Sequence, residues 1–239
     1  MTELANQKED AFSAATHEDA LSNLNIGYDN TKKIKNQEKR SIDEMSLSEA
    51  ALYYARLGYK VFPLWPRDKR PLGVLIRHGC KDASADIDTI KKWWEAYPEA
   101  NIGFVTGKAN HCIVIDIDGS TGKEELLKIK KGRNFPKTII AKSGREGGRH
   151  LYFQYPKGVE AVKNRAGVLP NVDIRADGGY IVVPPSVHPN GNKYSWKRDF
   201  CQQDMACMPE WLLQELIQES QKKNVSEKAL EIKTHPYFS

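Results

Sequence analysis

The 239-residue sequence predicts an α+β domain, because its helical and strand-like segments are segregated along the chain. Helical patterns lie before and after a central region that is rich in short strand-like runs. A single helical pattern interrupts that region. Runs of strands flanked by helices are typical of α+β folds, whereas regular alternation of strands and helices predicts a parallel α/β sheet.

The first predicted helix begins at Ser46, where the ordered part of the chain is expected to start. Ser46 and Glu49 have the spacing of a capping box, in which the side chain of each residue accepts a hydrogen bond from the backbone N–H of the other. Apolar residues then follow at helical intervals until Gly58, a residue type that suits the left-handed end of a helix.

Further elements follow from apolar periodicity and from turn residues. A second helix is predicted over 86–97 and ends at Pro98, which cannot continue it. Two more helices are expected over about 123–131 and from Pro209 to about residue 222. The predicted strands are 59–64, 101–106, 112–117, 138–142, 150–155, 172–175, 180–183 and 194–197.

Charge and polarity divide the chain into three parts. Residues 1–45 are polar without apolar periodicity and are predicted to be a disordered leader. A folded domain is expected over 46–208, followed by a C-terminal helix and tail over 209–239. Residues 47–208 carry 26 basic and 17 acidic side chains, whereas residues 1–46 carry 6 and 9. A basic folded body suits a polyanionic partner such as nucleic acid, although a merely soluble basic domain has the same charge.

The composition argues against a membrane or secreted protein. No run approaches the ~18 consecutive apolar residues of a membrane span, and the N-terminus lacks the basic start and apolar stretch of a secretory signal. We therefore expect a cytoplasmic protein.

The four cysteines have neither disulfide-framework nor C-x-x-C spacing, so zinc is not expected. The residues considered for a zinc site are His78, Cys80, His188, Cys201 and Cys207.

The strongest functional motif is an acidic pair at the end of a strand. Asp116 and Asp118 follow three β-branched residues and are separated by Ile117. In a strand such residues share a face, with Cα atoms about 6.6 Å apart. Two carboxylates so placed can share a pair of hard cations, which lie ~3.5–4 Å apart in two-metal sites. The alternative is two solvated aspartates at a strand end.

A third acid lies in a later strand. Asp173 stands between Val172 and Ile174, and an unpaired carboxylate buried among apolar neighbours is costly. A metal ion shared with Asp116 and Asp118 would remove that cost. Alternatively, Asp173 and Arg175 both face water.

A glycine-rich loop separates the two acidic strands. Three glycines between positions 144 and 148 free the backbone to present N–H groups to an anion. Ser143, Arg145, Arg149 and His150 add polar groups for a phosphate, so the loop is a candidate triphosphate cradle. It lacks the Gly-Lys-Ser/Thr end of a Walker A loop. The alternative is an ordinary hairpin loop with a structural histidine.

Other side chains are weaker candidates. His188, in a turn-rich segment, either shapes the pocket or only builds the turn. The tryptophans Trp65, Trp93 and Trp94 could stack on bases, but core packing is the preferred interpretation.

In this order and spacing, the three motifs resemble the bifunctional primase/polymerase domain of the archaeo-eukaryotic primase superfamily. That family has an acid-x-acid strand, a loop ending in histidine, and a third acid on a strand. Here these are Asp116-Ile117-Asp118, residues 143–150 and Asp173. The resemblance spans about Leu47 to Lys197. Flanking stretches that share it are Lys69-Arg70-Pro71, 81–84 leading to Trp93-Trp94, Asn101-Ile102-Gly103, and 178–180 through Ser186.

The resemblance implies a fold, an activity and a set of ligands. It implies an RRM-like catalytic sheet with a smaller packed α/β subdomain. It also implies a DNA primase/polymerase that joins nucleoside triphosphates on a single-stranded DNA template. Mg²⁺ or Mn²⁺ is expected on Asp116, Asp118 and Asp173. The expected nucleotide-binding residues are Ser143, Gly144, Arg149 and His150.

The same resemblance suggests a biological setting. Such domains occur in replication proteins of mobile elements, often with a helicase, which here would act in trans or on a longer parent chain.

Two rival functions stay open. A two-metal nuclease would use the same carboxylates without a triphosphate cradle, and a catalytically silent accessory protein would only bind DNA.

Overall fold

The computed structural model describes residues 41–200 and 204–218, and within them it confirms the α+β class. The helices are α1 Leu47–Arg56, α2 Ile87–Ala96, α3 Gly119–Lys130, and α4, which is helical over 210–218. Short 3₁₀ helices are Ile42–Glu44, Gly79–Asp82 and Lys108–Asn110. The strands are β1 Val61–Leu64, β2 Asn101–Val105, β3 Cys112–Ile117, β4 Ile139–Lys142, β5 Arg149–Gln154, β6 Arg165–Leu169, β7 Val172–Arg175, β8 Tyr180–Val182, β9 Ser195–Arg198 and β10 Ala206–Cys207.

The strands form two sheets. The larger has the order β6-β7-β3-β5-β4-β9, with antiparallel neighbours throughout, and β10 pairs in parallel with the end of β5. The smaller sheet has the antiparallel order β1-β2-β8. Since β3 lies inside the larger sheet, both of its edges are hydrogen-bonded.

One face of the larger sheet is covered by helices. Ile115 and Ile117 of β3 belong to a buried core with Leu126 of α3 and Leu212 of α4. Side chains alternate between the two faces of a strand, so Asp116 projects from the opposite face. The alternation of apolar residues in β3 therefore decides which side of the sheet carries the site.

That opposite face packs partly on aromatic side chains of the smaller sheet. Tyr152 of β5 contacts Phe104 of β2, with ring centroids 6.1 Å apart in an edge-on arrangement. Phe200 and Tyr54 extend the cluster, and their rings are also 6.1 Å apart. Edge-to-face packing of this kind stabilises the junction between the sheets.

Several predicted elements have the expected bounds and others do not. Strands β3 and β7 begin and end where the sequence predicts, and α2 differs by one residue at each end. In contrast, α3 begins four residues early, directly after Asp118. Strands β6 and β10 were not predicted: β10 has only two residues, and β6 is interrupted by Gly167, which has a left-handed conformation.

The two ends of the chain were predicted to be a disordered leader and a helix followed by a tail. Ordered structure begins before the expected Ser46: Ile42 is buried, and Asp43 accepts a hydrogen bond from the backbone N–H of Trp196. The rest of the predicted leader and the tail after residue 218 lie outside the described residues. No helix within the described ranges is both long and apolar enough to cross a membrane.

Candidate active site

The register of three adjacent strands brings the predicted residues into one row. Asp116 of β3 is paired with His150 of β5 on one side and with Asp173 of β7 on the other. Directly opposite residues in antiparallel strands share a face, with Cβ atoms about 4.5–5.5 Å apart. The row therefore runs His150, Asp116, Asp173 across the face that turns away from the helices.

His150 is the most buried member of the row. Its side chain is 4% exposed, and its Nε2 lies 3.4 Å from Oδ1 of Asp116. Burial lowers the pKa of His150, the negative charge of Asp116 opposes this, and the charge of Lys69 adds to it. The other ring nitrogen, Nδ1, is buried and has no hydrogen-bond partner within the described parts of the chain. Because the pKa is lowered, the ring is mainly neutral at pH 7 beside the carboxylate.

Arg175 lies between the two carboxylates of the row. Its Nη2 is 2.6 Å from Oδ2 of Asp173 and 3.5 Å from Oδ2 of Asp116. The second oxygen of Asp173 accepts a hydrogen bond of 2.6 Å from the backbone N–H of Gly167. Asp173 and Arg175 are therefore a bonded pair, and not two side chains that face water independently.

Asp118 lies next to the row but outside the strand pairing. It occupies the N-cap position of α3, its side chain is 39% exposed, and its Oδ2 is 3.2 Å from Nη1 of Arg145. Its backbone N–H donates to the carbonyl of Asn171, which fixes the end of β3 against β7. The structure thus brings Asp118 near the glycine loop through Arg145.

The glycine loop is folded on itself and held from one side. The backbone of Ser143 donates to Gly148, and its Oγ accepts from the backbone of Arg145 at 3.3 Å. The carbonyl of Gly144 accepts 2.9 Å hydrogen bonds from the side-chain amides of Asn190 and Asn192. These contacts give the loop a defined position beside the carboxylates.

Gly144 itself is required by close packing. A Cβ at this position would lie 2.1 Å from the Cβ of His188, which is far inside contact distance. His188 is buried, its ring centroid is 5.8 Å from that of Tyr194, and Tyr194 is the same distance from His150. His188 therefore supports the loop from behind, and its Nδ1 also accepts a 3.3 Å hydrogen bond from the backbone of Asn190 within the turn, so its contacts fit both alternatives that the sequence left open.

Arg149 is placed differently from the other predicted residues. It pairs with Ile117, whose side chain belongs to the helix-covered core, so Arg149 leaves the opposite face from His150. Its Nη1 donates to the carbonyl of Gly148 at 2.7 Å. The structure does not bring Arg149 to the row of acids, because neighbouring residues in a strand alternate.

A cavity of about 210 Å³ is lined by two members of the row, Asp116 and His150. Sequence reasoning did not select five of its polar or aromatic residues as site candidates. Lys69 and Tyr180 were noticed only in stretches that resemble a family, Arg175 only as a neighbour of Asp173, and Asn164 and Tyr194 lie in no motif. The residues that line the cavity are Lys69, Asp116, His150, Asn164, Arg175, 178–182 and Tyr194.

The tryptophans divide into two kinds. Trp94 is 1% exposed and its indole N–H donates to the carbonyl of Ala100, as core packing predicts. Trp93 packs, partly buried, against the core of the smaller sheet. Trp65 is 39% exposed, so core packing is the wrong interpretation for this residue. It lies on the loop that also carries Lys69.

The three acids have the chemistry of a metal site but not its closeness. Carboxylate oxygens are the ligands that Mg²⁺ and related hard cations prefer, so Asp116, Asp118 and Asp173 fit chemically. Among residues 41–200 and 204–218, however, no three histidine, cysteine or acidic side chains are gathered closely enough to hold an ion. Arg175 lies between Asp116 and Asp173, and a shared ion there requires the guanidinium to move aside. The zinc candidates His78, Cys80, His188 and Cys207 do not gather either, and Cys201 lies outside the described residues.

Comparison with known families identifies the chain. The family model described as bifunctional DNA primase/polymerase, N-terminal, matches residues 51–211, which include the whole row and the glycine loop. The chain belongs to this family, whose members are primase/polymerase-type nucleotidyl transferases that act on DNA and nucleotides. No curated protein matches the chain.

Proposed function

We propose that this chain is a DNA-templated nucleotidyl transferase that joins nucleoside triphosphates on single-stranded DNA with the help of two divalent metal ions. The observation that carries the proposal is the row of His150, Asp116 and Asp173 on one sheet face, of which His150 and Asp116 line a cavity together with Lys69 and Arg175. An acid, a buried imidazole and two cations in one cavity, with a second acid next to it, match the needs of phosphoryl transfer, which depends on positioning and on charge stabilisation.

The metal ligands in this proposal are Asp116, Asp118 and Asp173. Bound Mg²⁺ or Mn²⁺ would supply charge stabilisation for the attacking and leaving oxygens of the reaction. The protein's own residues do the rest. His150 donates a hydrogen bond to the triphosphate, Ser143 and Gly144 border it, and Arg175 neutralises the carboxylates until metal is present. Arg149 is not included, because its side chain leaves the other face of the sheet.

The proposal extends to the fold and its setting. The larger sheet, with helices on one face and the site on the other, is proposed to be the RRM-like catalytic sheet, and the smaller sheet its packed subdomain. The basic body would hold the template through its phosphates, without reading sequence. Action in the replication of a mobile element, together with a helicase, is part of the same proposal.

One observation favours a second candidate function. Arg175 and Arg145 pair with all three proposed metal ligands. A site that keeps these ion pairs permanently would bind DNA without catalysis, as a replication accessory protein does. Such a protein would bind DNA equally well in EDTA.

The deciding experiment is incorporation of labelled nucleotides on single-stranded DNA with Mg²⁺ or Mn²⁺, with and without a primer. Asp116→Asn is the test variant, since it removes one charge at nearly constant shape. Asp88→Asn is the matched control, because Asp88 is 81% exposed on α2 and does not line the cavity. Incorporation by wild type and D88N, with loss in D116N, supports the proposal, and product without primer identifies a primase. If wild type, D116N and D88N all bind DNA and none of them incorporates nucleotides, the accessory function is favoured.

A further inference from the structure

The loop of residues 65–70 contributes Lys69 to the lining of the active-site cavity, and hydrogen bonds to its backbone hold it in place. Asp68 accepts hydrogen bonds from the backbone N–H groups of Lys69 and Arg70, at 2.6 and 3.0 Å. The carbonyl of Lys69 accepts from the hydroxyl of Tyr180 at 3.1 Å, and that of Asp68 accepts from the side chain of Asn101 at 3.1 Å. The backbone of Lys69 is therefore held on both sides, which fixes the root of its side chain at the cavity wall.

The charges around the cavity are unevenly compensated. Arg175 contacts Asp116 and Asp173, and Arg70 pairs with Asp68. No carboxylate within the described ranges lies at ion-pair distance from Lys69, although this side chain lines the cavity beside Asp116, His150 and Arg175. Lys69 is thus a cation that lines the cavity and has no acidic partner among residues 41–200 and 204–218.

The position of Lys69 relates it to His150. Both side chains line the same cavity, beside Asp116. An anion in this cavity would meet a hydrogen-bond donor from His150 and a positive charge from Lys69. An ammonium on a flexible stem is a common phosphate ligand because it can follow a moving anion as a point charge.

We propose that Lys69 binds the triphosphate of the incoming nucleotide and that the hydrogen-bonded 65–70 loop holds Lys69 in position. This inference rests on the proposed function, which supplies the triphosphate. It differs from a contact with the DNA backbone, because Lys69 faces the cavity of the acidic row, whereas a template strand needs an extended groove. The expected role is in nucleotide affinity and not in DNA affinity.

The test compares Lys69→Met with Arg77→Met. Methionine keeps the approximate length of the lysine side chain and removes its charge. Arg77 is an exposed cation that lies, like Lys69, between β1 and α2, and it does not line the cavity. The probes are dATP and ATP analogues that cannot be cleaved between the α- and β-phosphates, and a fluorescent single-stranded oligonucleotide. Affinity of each is measured at equilibrium in the presence of Mn²⁺, and thermal unfolding verifies that each variant is folded.

We expect K69M to lower the affinity for the better-bound triphosphate analogue by roughly tenfold, the loss of one charge-assisted contact. Lys69→Arg should restore most of it, and R77M should leave it unchanged. Oligonucleotide affinity should change less than about twofold in K69M. Unchanged triphosphate affinity in a folded K69M, or an equal loss of oligonucleotide affinity, would overturn the inference.

The two proposals can fail separately. If wild type incorporates nucleotides and D116N does not, while K69M binds triphosphate like wild type, the inference about Lys69 fails and the function stands. If triphosphate binding depends on Lys69 but no protein incorporates nucleotides, the inference stands and the polymerase function fails.

Discussion

Asp116 and Asp173 are direct cross-strand neighbours in β3 and β7, and one nitrogen of Arg175 contacts both carboxylates. Like charges placed opposite each other in antiparallel strands destabilise a sheet. The guanidinium offsets that repulsion in the structure described, and a divalent cation could do the same. Arg175 and a metal ion are therefore alternative counter-ions for one pair of acids.

This relationship predicts how Arg175→Met affects stability. Removal of the guanidinium leaves two partly buried carboxylates without a counter-ion, so the free energy of unfolding at neutral pH should fall by about 1–3 kcal/mol. Mn²⁺ should then raise the unfolding temperature of R175M more than that of wild type, because the carboxylates are free to bind it. Thermal unfolding with and without Mn²⁺ measures both effects. An equal Mn²⁺ response in the two proteins would show that Arg175 does not compete with metal.

The packing of Gly144 on His188 predicts a second effect. An added Cβ would meet the His188 Cβ at 2.1 Å, so Gly144→Ala must displace the loop or the segment that carries His188. We expect a loss of about 1–3 kcal/mol in unfolding free energy, as in other overpacked sites, together with weaker triphosphate binding. Gly73→Ala is the matched control, since nothing lies within 4 Å of a Cβ there.

A second-site change tests the same contact. His188→Gly removes the Cβ that clashes, so the double variant G144A/H188G should be less destabilised than the sum of the two single variants. Chemical denaturation of the four proteins gives this coupling directly. Additive losses would mean that the two residues do not press against each other.

Local patterns were sufficient to predict the strands that carry the acids. The alternation of Ile113, Ile115 and Ile117 around Asp116 identifies both the strand and the face of the acid, and the structure agrees. The same alternation in β5 puts Arg149 on the other face from His150. The prediction that both bind the nucleotide treated them as parts of one loop, although both lie in the strand that follows it.

Other features of the site depend on contacts that no local pattern contains. The register that sets Asp116 between His150 and Asp173 joins segments more than thirty residues apart. The bridge made by Arg175 and the approach of Lys69 to the cavity also depend on how strands and sheets are arranged. Sequence reasoning therefore found the acids and the histidine, but not the cations that compensate them.

Cysteine reactivity provides a test of the placement of β3. Cys112 begins this strand and is buried, which raises the pKa of its thiol, whereas Cys207 at the end of β10 is exposed. Thiolate is the reactive form, so Cys112 should resist iodoacetamide at pH 7.5 while Cys207 is modified. Peptide mass spectrometry resolves the two sites. Rapid modification of native Cys112 would contradict its position inside the sheet, and modification in denaturant serves as the positive control.

His150 separates the polymerase from the nuclease alternative. Burial lowers its pKa, so the ring is expected to be neutral at pH 7 and to offer one N–H donor to a phosphate. His150→Ala should weaken binding of an uncleavable nucleoside triphosphate by roughly tenfold, the effect of one hydrogen bond to a charged group. His150→Asn, which keeps a donor, should lose less.

The readouts for His150 are triphosphate affinity and oligonucleotide affinity, measured on variants whose unfolding temperatures show them to be folded. A two-metal nuclease has no triphosphate cradle, so in that case neither variant should change the affinity for the nucleotide. A loss confined to the nucleotide, larger for alanine than for asparagine, supports a polymerase site in which His150 contacts the triphosphate. Equal losses in nucleotide and oligonucleotide affinity would instead mean that the histidine maintains the fold of the cavity, because a structural defect affects both ligands.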